Sequence, residues 1–116
     1  MMIETFKTYQ DEAIKTWSGK LPLTEVGRLY LACKLAGEAG EVAEKMAKLV
    51  RDKDGLKYIS IEDQHAIKLE LGDVLWYLTV ISAELGFNLD HVATSNIAKL
   101  RSRQARGKIG GSGDNR

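Results

Sequence analysis

Apolar side chains recur every three to four positions along most of the chain, which is the spacing of amphipathic helices. The pattern predicts four helices, over residues 3–17, 24–51, 60–85 and 89–106. Ser18-Gly19 with Pro22 is expected to end the first helix, Thr24 to cap the second, Ser60 and Asp63 to form a capping box, and Gly86 to end the third. An all-α fold is therefore expected.

The third predicted helix is apolar on almost every side. Its apolar residues are Leu69, Leu71, Val74, Leu75, Trp76, Leu78, Val80, Ile81, Ala83 and Leu85. A helix that is apolar all round must be buried all round, and a single layer of four helices can hardly cover it. We therefore predict an antiparallel four-helix bundle-like fold that assembles as a homo-oligomer, with this helix at the subunit interface.

Length and composition indicate where the folded domain ends and the C-terminal tail begins. With 116 residues, 44% of them hydrophobic, the chain fits a single domain over residues 1–106, followed by a Gly-rich basic C-terminal tail, residues 107–116. Residues 99–116 hold six basic residues and one acidic residue, so this end carries +5 while the rest carries −4 of the total of +1. The tail is interpreted either as a disordered end or as a nest whose backbone amides and Arg116 fold over phosphates.

Cellular location is the next expectation. Cys33 has no cysteine to pair with, the first residues lack the pattern of a signal peptide, and the longest uncharged apolar stretch, residues 74–83, is about half a bilayer span. We predict a cytoplasmic protein with no membrane partner.

Two pairs of acids carry the candidate chemistry. Glu38 and Glu41 are three positions apart, as are Glu70 and Asp73, so each pair lies about 60° apart on one helical face. If the second and third helices pack antiparallel, four carboxylates point into one cleft. The intervening Gly40 and Gly72 are hypothesised to allow the helices or a ligand to approach closely.

Four adjacent carboxylates repel one another unless a cation binds between them. No histidine lies three residues from any of these acids, and all-oxygen ligands favour Mg²⁺ or Mn²⁺. Because Mg²⁺ often completes its shell with phosphate oxygens, a phosphate-bearing ligand is expected. The alternative is a solvated helix face whose Glu and Lys side chains form weak ion pairs.

Basic residues follow neighbouring stripes of the helices. Lys34 and Lys45 bracket the acids of the second helix, and Asn96, Lys99 and Arg103 share one stripe of the fourth. Acids for a metal and bases for phosphate are therefore predicted to line one pocket.

Other residues have two interpretations each. Tyr77 lies on the stripe of Glu70 and is either a pocket residue or an interface tyrosine. Trp17 and Trp76 either stack on a nucleobase or belong to the core or an interface. His65 and His91 are expected at the surface.

These motifs together resemble the MazG-like, all-α nucleoside triphosphate pyrophosphohydrolases. The resemblance covers residues 25–106 and rests on GEAGEVAE, ELGDVLWYL and Asn96-x-x-Lys99-x-x-x-Arg103. The single unit is similar to the compact phage and bacterial forms.

The resemblance implies Mg²⁺-dependent hydrolysis of a nucleoside triphosphate to the monophosphate and pyrophosphate, as in nucleotide-pool house-cleaning. It also implies that the helical bundles assemble as a homodimer or homotetramer. It implies metal ligands and substrate contacts as follows: Glu38, Glu41, Glu70 and Asp73 for the metal, and Asn96, Lys99 and Arg103 for the phosphate or metal shell. Lys45 and Tyr77 are further candidate substrate contacts, and Glu41 is our candidate general base.

Two other functions remain open. A helical oligomer could bind nucleic acid through its basic C-terminal segment, although that segment lacks interleaved aromatic residues. A catalytically silent relative could sense nucleotides, although all four acids are present.

Overall fold

The computed structural model describes residues 1–19, 24–53, 55 and 57–116. Its described part holds four helices and no strand: α1 Phe6–Lys15, α2 Glu25–Asp52, α3 Ile61–Glu84 and α4 Leu89–Ala105. The all-α prediction is confirmed, and the predicted role of Pro22 lies outside the described residues. None of these helices has the length and apolar character needed to cross a membrane.

Side-chain caps set the helix starts. Thr24 accepts a hydrogen bond from the Gly27 amide at 3.3 Å, and Ser60 accepts one from the Asp63 amide at 3.1 Å, as predicted. The first helix begins three residues later than expected, because the Thr5 hydroxyl caps it by accepting a hydrogen bond from the Thr8 amide at 3.0 Å.

The α2 and α3 helices form an antiparallel hairpin. Three cross-helix contacts define it: Lys34 Nζ over the Tyr77 ring at 5.8 Å, Lys45 to Glu70 at 3.6 Å, and Lys53 to Asp63 at 2.8 Å. Residue numbers rise along α2 as they fall along α3, so the predicted antiparallel packing of the two acid-bearing helices is observed.

The glycines of the acid motifs do not mark a close approach of these helices. A Cβ atom built on Gly40 or Gly72 would meet no described atom within 4 Å. Each glycine lies about 160° around its helix from the first acid of its motif. The hypothesis that they let the two helices approach closely is therefore wrong within the chain.

The α1 and α4 helices pack against each other and against α3, while α2 contacts α3 alone among the described helices. The Gln10 side chain joins α1 to the start of α4, since it donates to the Phe87 carbonyl at 3.1 Å and accepts from the Leu89 amide at 2.7 Å. One amide side chain thus satisfies two main-chain groups at the α3–α4 turn.

Two tryptophans fill the junction of α1 and α3. The rings of Trp17 and Trp76 meet edge to face at 5.9 Å between centroids. Trp17 donates to Glu84 at 3.0 Å and Trp76 to Thr16 at 2.8 Å. Both therefore contribute to packing between α1 and α3, although neither is fully buried.

A single chain leaves much apolar surface uncovered. Its radius of gyration is 17.1 Å, against about 13 Å for a compact domain of this length. Its accessible surface is 8635 Å², against roughly 6,300 Å² expected from its mass. Leu69 and Leu71 of α3 are 58% and 51% exposed, so the chain alone does not bury this helix all round.

Candidate metal and phosphate site

Three carboxylates meet between α2 and α3. Glu38, Glu70 and Asp73 each offer an oxygen atom, and the three oxygens lie within 4.8 Å of one another. Glu70 and Asp73 share one face of α3, and the antiparallel hairpin turns that face toward Glu38. The structure thus brings together three of the four predicted acids, which we call the carboxylate group.

The fourth acid, Glu41, lies outside this group. It is exposed and makes no hydrogen bond or ion pair with the described residues. The buried positions Leu31 and Leu49 show which side of α2 faces α3, and Glu41 is about 80° from that direction whereas Glu38 is about 20° from it. The rotation of α2 therefore separates two acids that share a helical face.

Lysines flank the carboxylate group without binding its oxygens closely. Lys34 lies 3.8 Å from Glu38, and Lys45 lies 3.6 Å from Glu70. Both distances exceed that of a hydrogen bond, so the cations lessen carboxylate repulsion and leave the oxygens available to another ligand.

This donor set fits a small divalent cation. All three donors are carboxylate oxygens, which Mg²⁺ and Mn²⁺ prefer. Ligand oxygens around Mg²⁺ at about 2.0–2.1 Å lie roughly 3 to 4 Å apart, so a shift of about 1 Å in these partly exposed side chains would close the shell. Three protein ligands leave positions for water and phosphate.

Two tyrosines are electrostatically coupled to the carboxylate group. Burial raises the pKa of Tyr77, and the charges of Tyr30, Glu38 and Asp73 raise it further. Burial and the charge of Asp73 raise the pKa of Tyr9 in α1. Sequence reasoning selected Tyr77 but missed Tyr9, whose position depends on how α1 packs against α3.

The polar residues of α4 have different surroundings. Asn96 and Lys99 line a cavity of about 460 Å³ that includes no member of the carboxylate group. Its other lining residues are Phe87, His91, Val92 and Ser95. Arg103 is only 4% exposed. Within one chain, this cavity is therefore lined by Lys99 but not by Arg103 or the carboxylate group.

The C-terminal tail folds back onto these cations. The Asp114 carboxylate lies 3.2 Å from Lys99 Nζ and 3.3 Å from Arg103 Nη2. Arg103 Nη2 also donates to the main-chain oxygens of Asp114 at 2.9 Å and Gly113 at 3.3 Å. A side-chain anion, rather than the backbone amides of a nest, thus faces Lys99 and Arg103, and the disorder of the tail stays a prediction.

The contacts of the C-terminal basic residues also bear on the hypothesis that this segment binds nucleic acid. Lys99 and Arg103 hold Asp114, and Arg106 donates to the Ser102 hydroxyl at 3.2 Å and to the main-chain oxygen of Arg116 at 2.9 Å. Part of the +5 charge is thus engaged within the chain.

Comparisons with known proteins add an independent observation. Residues 28–107 match the family model of the MazG nucleotide pyrophosphohydrolase domain. Over 106 residues the chain is 44% identical to the "Gene 37 protein" of Mycobacterium phage L5, covering 91% of this chain and 90% of that protein. No solved structure matches the chain. The matched region contains the carboxylate group, Lys99 and Arg103, and leaves out α1 and most of the tail.

Proposed function

The chain belongs to the MazG nucleotide pyrophosphohydrolase family, and we therefore propose that it hydrolyses a ribonucleoside or deoxyribonucleoside triphosphate to the monophosphate and pyrophosphate. The observation that carries the proposal is the carboxylate group, whose three oxygens lie within 4.8 Å of one another inside the region that matches the family. A role in nucleotide-pool house-cleaning follows as part of this proposal.

Mg²⁺, with Mn²⁺ as a substitute, is the proposed cofactor. Glu38, Glu70 and Asp73 would hold it, with Glu41 as a fourth carboxylate one turn away on α2. When bound, the ion supplies polarisation of a phosphate oxygen and acidification of a nearby water.

The chain's own residues supply the remaining roles. Glu41 is the proposed general base, since it is exposed and makes no ion pair with the described residues, so that its carboxylate can accept a proton from water. Lys45 lies beside Glu70 and can offset charge on a phosphate oxygen there. We assign Tyr77 to the pocket wall.

The phosphate chain is assigned to α4. Asn96, Lys99 and Arg103 are the proposed contacts, and their donors are suited to phosphate oxygens. The cavity lined by Asn96 and Lys99 includes no member of the carboxylate group, so we propose that α4 moves on binding or that a second copy contributes its α4.

A homodimer or homotetramer is part of the proposal. The uncovered Leu69 and Leu71 of α3, together with the large radius of gyration, support burial of this helix by a second copy. Light scattering across a concentration series tests it: the mass should be a multiple of the 12.9 kDa chain, and Leu69→Glu should lower it. A monomer at all concentrations would contradict this part.

The activity itself is tested by screening common and oxidised nucleoside triphosphates for pyrophosphate release with Mg²⁺ or Mn²⁺. We expect release from at least one substrate, lost when a chelator is added and unchanged in Glu44→Gln, whose acid pairs with Lys48 away from the carboxylate group. Nucleotide binding without turnover would favour the sensor, and salt-dependent DNA binding without turnover would favour the nucleic-acid alternative.

A further inference from the structure

Lys99 and Arg103 already hold an anion in this structure. Both contact the Asp114 carboxylate, at 3.2 and 3.3 Å, and two main-chain oxygens of the tail add to the contacts of Arg103. These contacts lower the pKa of Asp114, first through its bond to Lys99 and then through Arg103. An ionised carboxylate with neighbouring carbonyl oxygens resembles the oxygen-rich surface of a phosphate group.

The tail does not satisfy Arg103 completely. All three of its contacts with the tail come from Nη2. The Nε atom is buried and has no hydrogen-bond partner among the described residues. A buried donor without a partner is unfavourable, so a ligand with more oxygen atoms than Asp114 offers would gain an additional bond here.

The tail is attached in a way that allows it to leave. The Asp114 side chain is 85% exposed, and ion pairs in such surroundings are individually weak. The backbone turns at Gly107, Gly111 and Gly113, whose φ angles are +67°, +90° and +85°. Arg116 holds the tail together internally by donating to the carbonyls of Ile109 at 3.2 Å and Gly110 at 3.0 Å, so it can move as a unit.

We propose that Lys99 and Arg103 form a polyphosphate-binding site and that Asp114 occupies it as an internal competitor until the ligand displaces the tail. The identity of the ligand as the phosphate chain of a nucleotide rests on the proposed function. A triphosphate has more charge and more oxygen atoms than one carboxylate, and the cavity of about 460 Å³ that Lys99 also lines provides space beside the site.

Binding of inorganic tripolyphosphate without metal, measured by isothermal titration calorimetry, tests this directly. Asp114→Asn should bind about threefold to tenfold more tightly than the natural chain, the range expected when one or two exposed ion pairs need no longer be broken. Asp90→Asn is the matched control, because it removes one negative charge from α4 outside the tail and should leave the affinity unchanged.

A second measurement does not depend on that variant. Amide hydrogen exchange in residues 107–116 of the natural chain should accelerate when tripolyphosphate is added, because the tail leaves α4. Deleting residues 111–116 should raise the affinity at least as much as Asp114→Asn.

Equal or weaker tripolyphosphate binding by Asp114→Asn would overturn the inference, as would a tail that becomes more protected when the ligand binds. Failure of the proposed function gives a different result. In that case no nucleotide releases pyrophosphate, yet Asp114→Asn still binds tripolyphosphate more tightly than Asp90→Asn, which supports the competitor role.

Discussion

On the α2–α3 hairpin, lysines lie 3.6 and 3.8 Å from the carboxylates they neighbour, whereas on α4 the tail contacts Lys99 and Arg103 at 2.9 to 3.3 Å. The acids are fixed by two long helices and retain free oxygens. The bases are contacted by a glycine-rich segment that turns back on itself. One region has carboxylate oxygens without a close cationic partner, and the other already holds an anion from its own chain.

The two regions differ in the rigidity of their frame and in how far their charges are already paired. The carboxylate group has a rigid frame and an incomplete charge balance, which favours ligand binding. The α4 site already has a weakly held anion in contact with both of its cations, so a ligand there must compete. The following predictions alter either one of the two regions or the turn that connects them.

The largest effect is expected for Asp73→Asn. Removing a residue that only orients a metal ligand costs about 10- to 100-fold, so loss of a proposed ligand should reduce pyrophosphate release by about 100-fold or more. Asp73 is exposed, so the helical circular dichroism should not change. Retained activity in a folded Asp73→Asn protein would remove this acid from the site.

An intermediate effect is expected at the α3–α4 turn, which connects the two regions. Gln10→Ala removes both hydrogen bonds to the α3–α4 turn, and the free energy of unfolding should fall by about 1–2 kcal/mol in urea denaturation. Gln104→Ala, an exposed glutamine of α4, is the control and should change it by less than about 0.5 kcal/mol. Equal effects of the two variants would show that Gln10 does not fix α4.

A smaller effect is expected for Gly72→Ala. Because its Cβ would meet no described atom within 4 Å, the gain in helix propensity should stabilise the fold by about 0.5–1 kcal/mol. Pyrophosphate release should be unchanged, since Gly72 lies about 160° around α3 from Glu70. A loss of activity would instead mean that the ligand or a second copy approaches closely at this glycine.

The smallest effect concerns pH. The folded-state pKa of Asp114 lies below its ordinary value because of Lys99 and Arg103. The ionised carboxylate therefore stabilises the folded tail fully above the ordinary aspartate pKa, and this stabilisation is lost as pH falls through the lowered pKa. Amide exchange in the tail should therefore accelerate only in acid, relative to a peptide of the same sequence. Asp114→Asn should show no such step, and an identical acid step in that variant would exclude Asp114 as its origin.

The two regions also differ in how far the sequence predicts them. Periodicity and caps place all four helices to within a few residues, and the three-residue spacing of Glu70 and Asp73 puts both on one face of α3. The short connection between α2 and α3 indicates antiparallel packing. These features follow from local geometry, so the sequence could predict that Glu70 and Asp73 lie together on one face of α3.

Other features depend on tertiary packing. The exclusion of Glu41 is set by a rotation of α2 that helical spacing leaves open, and the proximity of Tyr9 to Asp73 by the crossing of α1 over α3. The contacts of Asp114 need positive φ angles at several glycines, and no periodic pattern encodes the path of such a segment.

Binding of a divalent cation by the carboxylate group can be tested without turnover, by following Mn²⁺ binding through the loss of the free-ion paramagnetic resonance signal. The natural chain should bind Mn²⁺ saturably, Glu70→Gln should bind at least about tenfold more weakly, and Glu62→Gln, an exposed acid of the same helix, should bind as the natural chain does. No saturable binding by the natural chain, or equal binding by Glu70→Gln, would contradict the proposed cation binding.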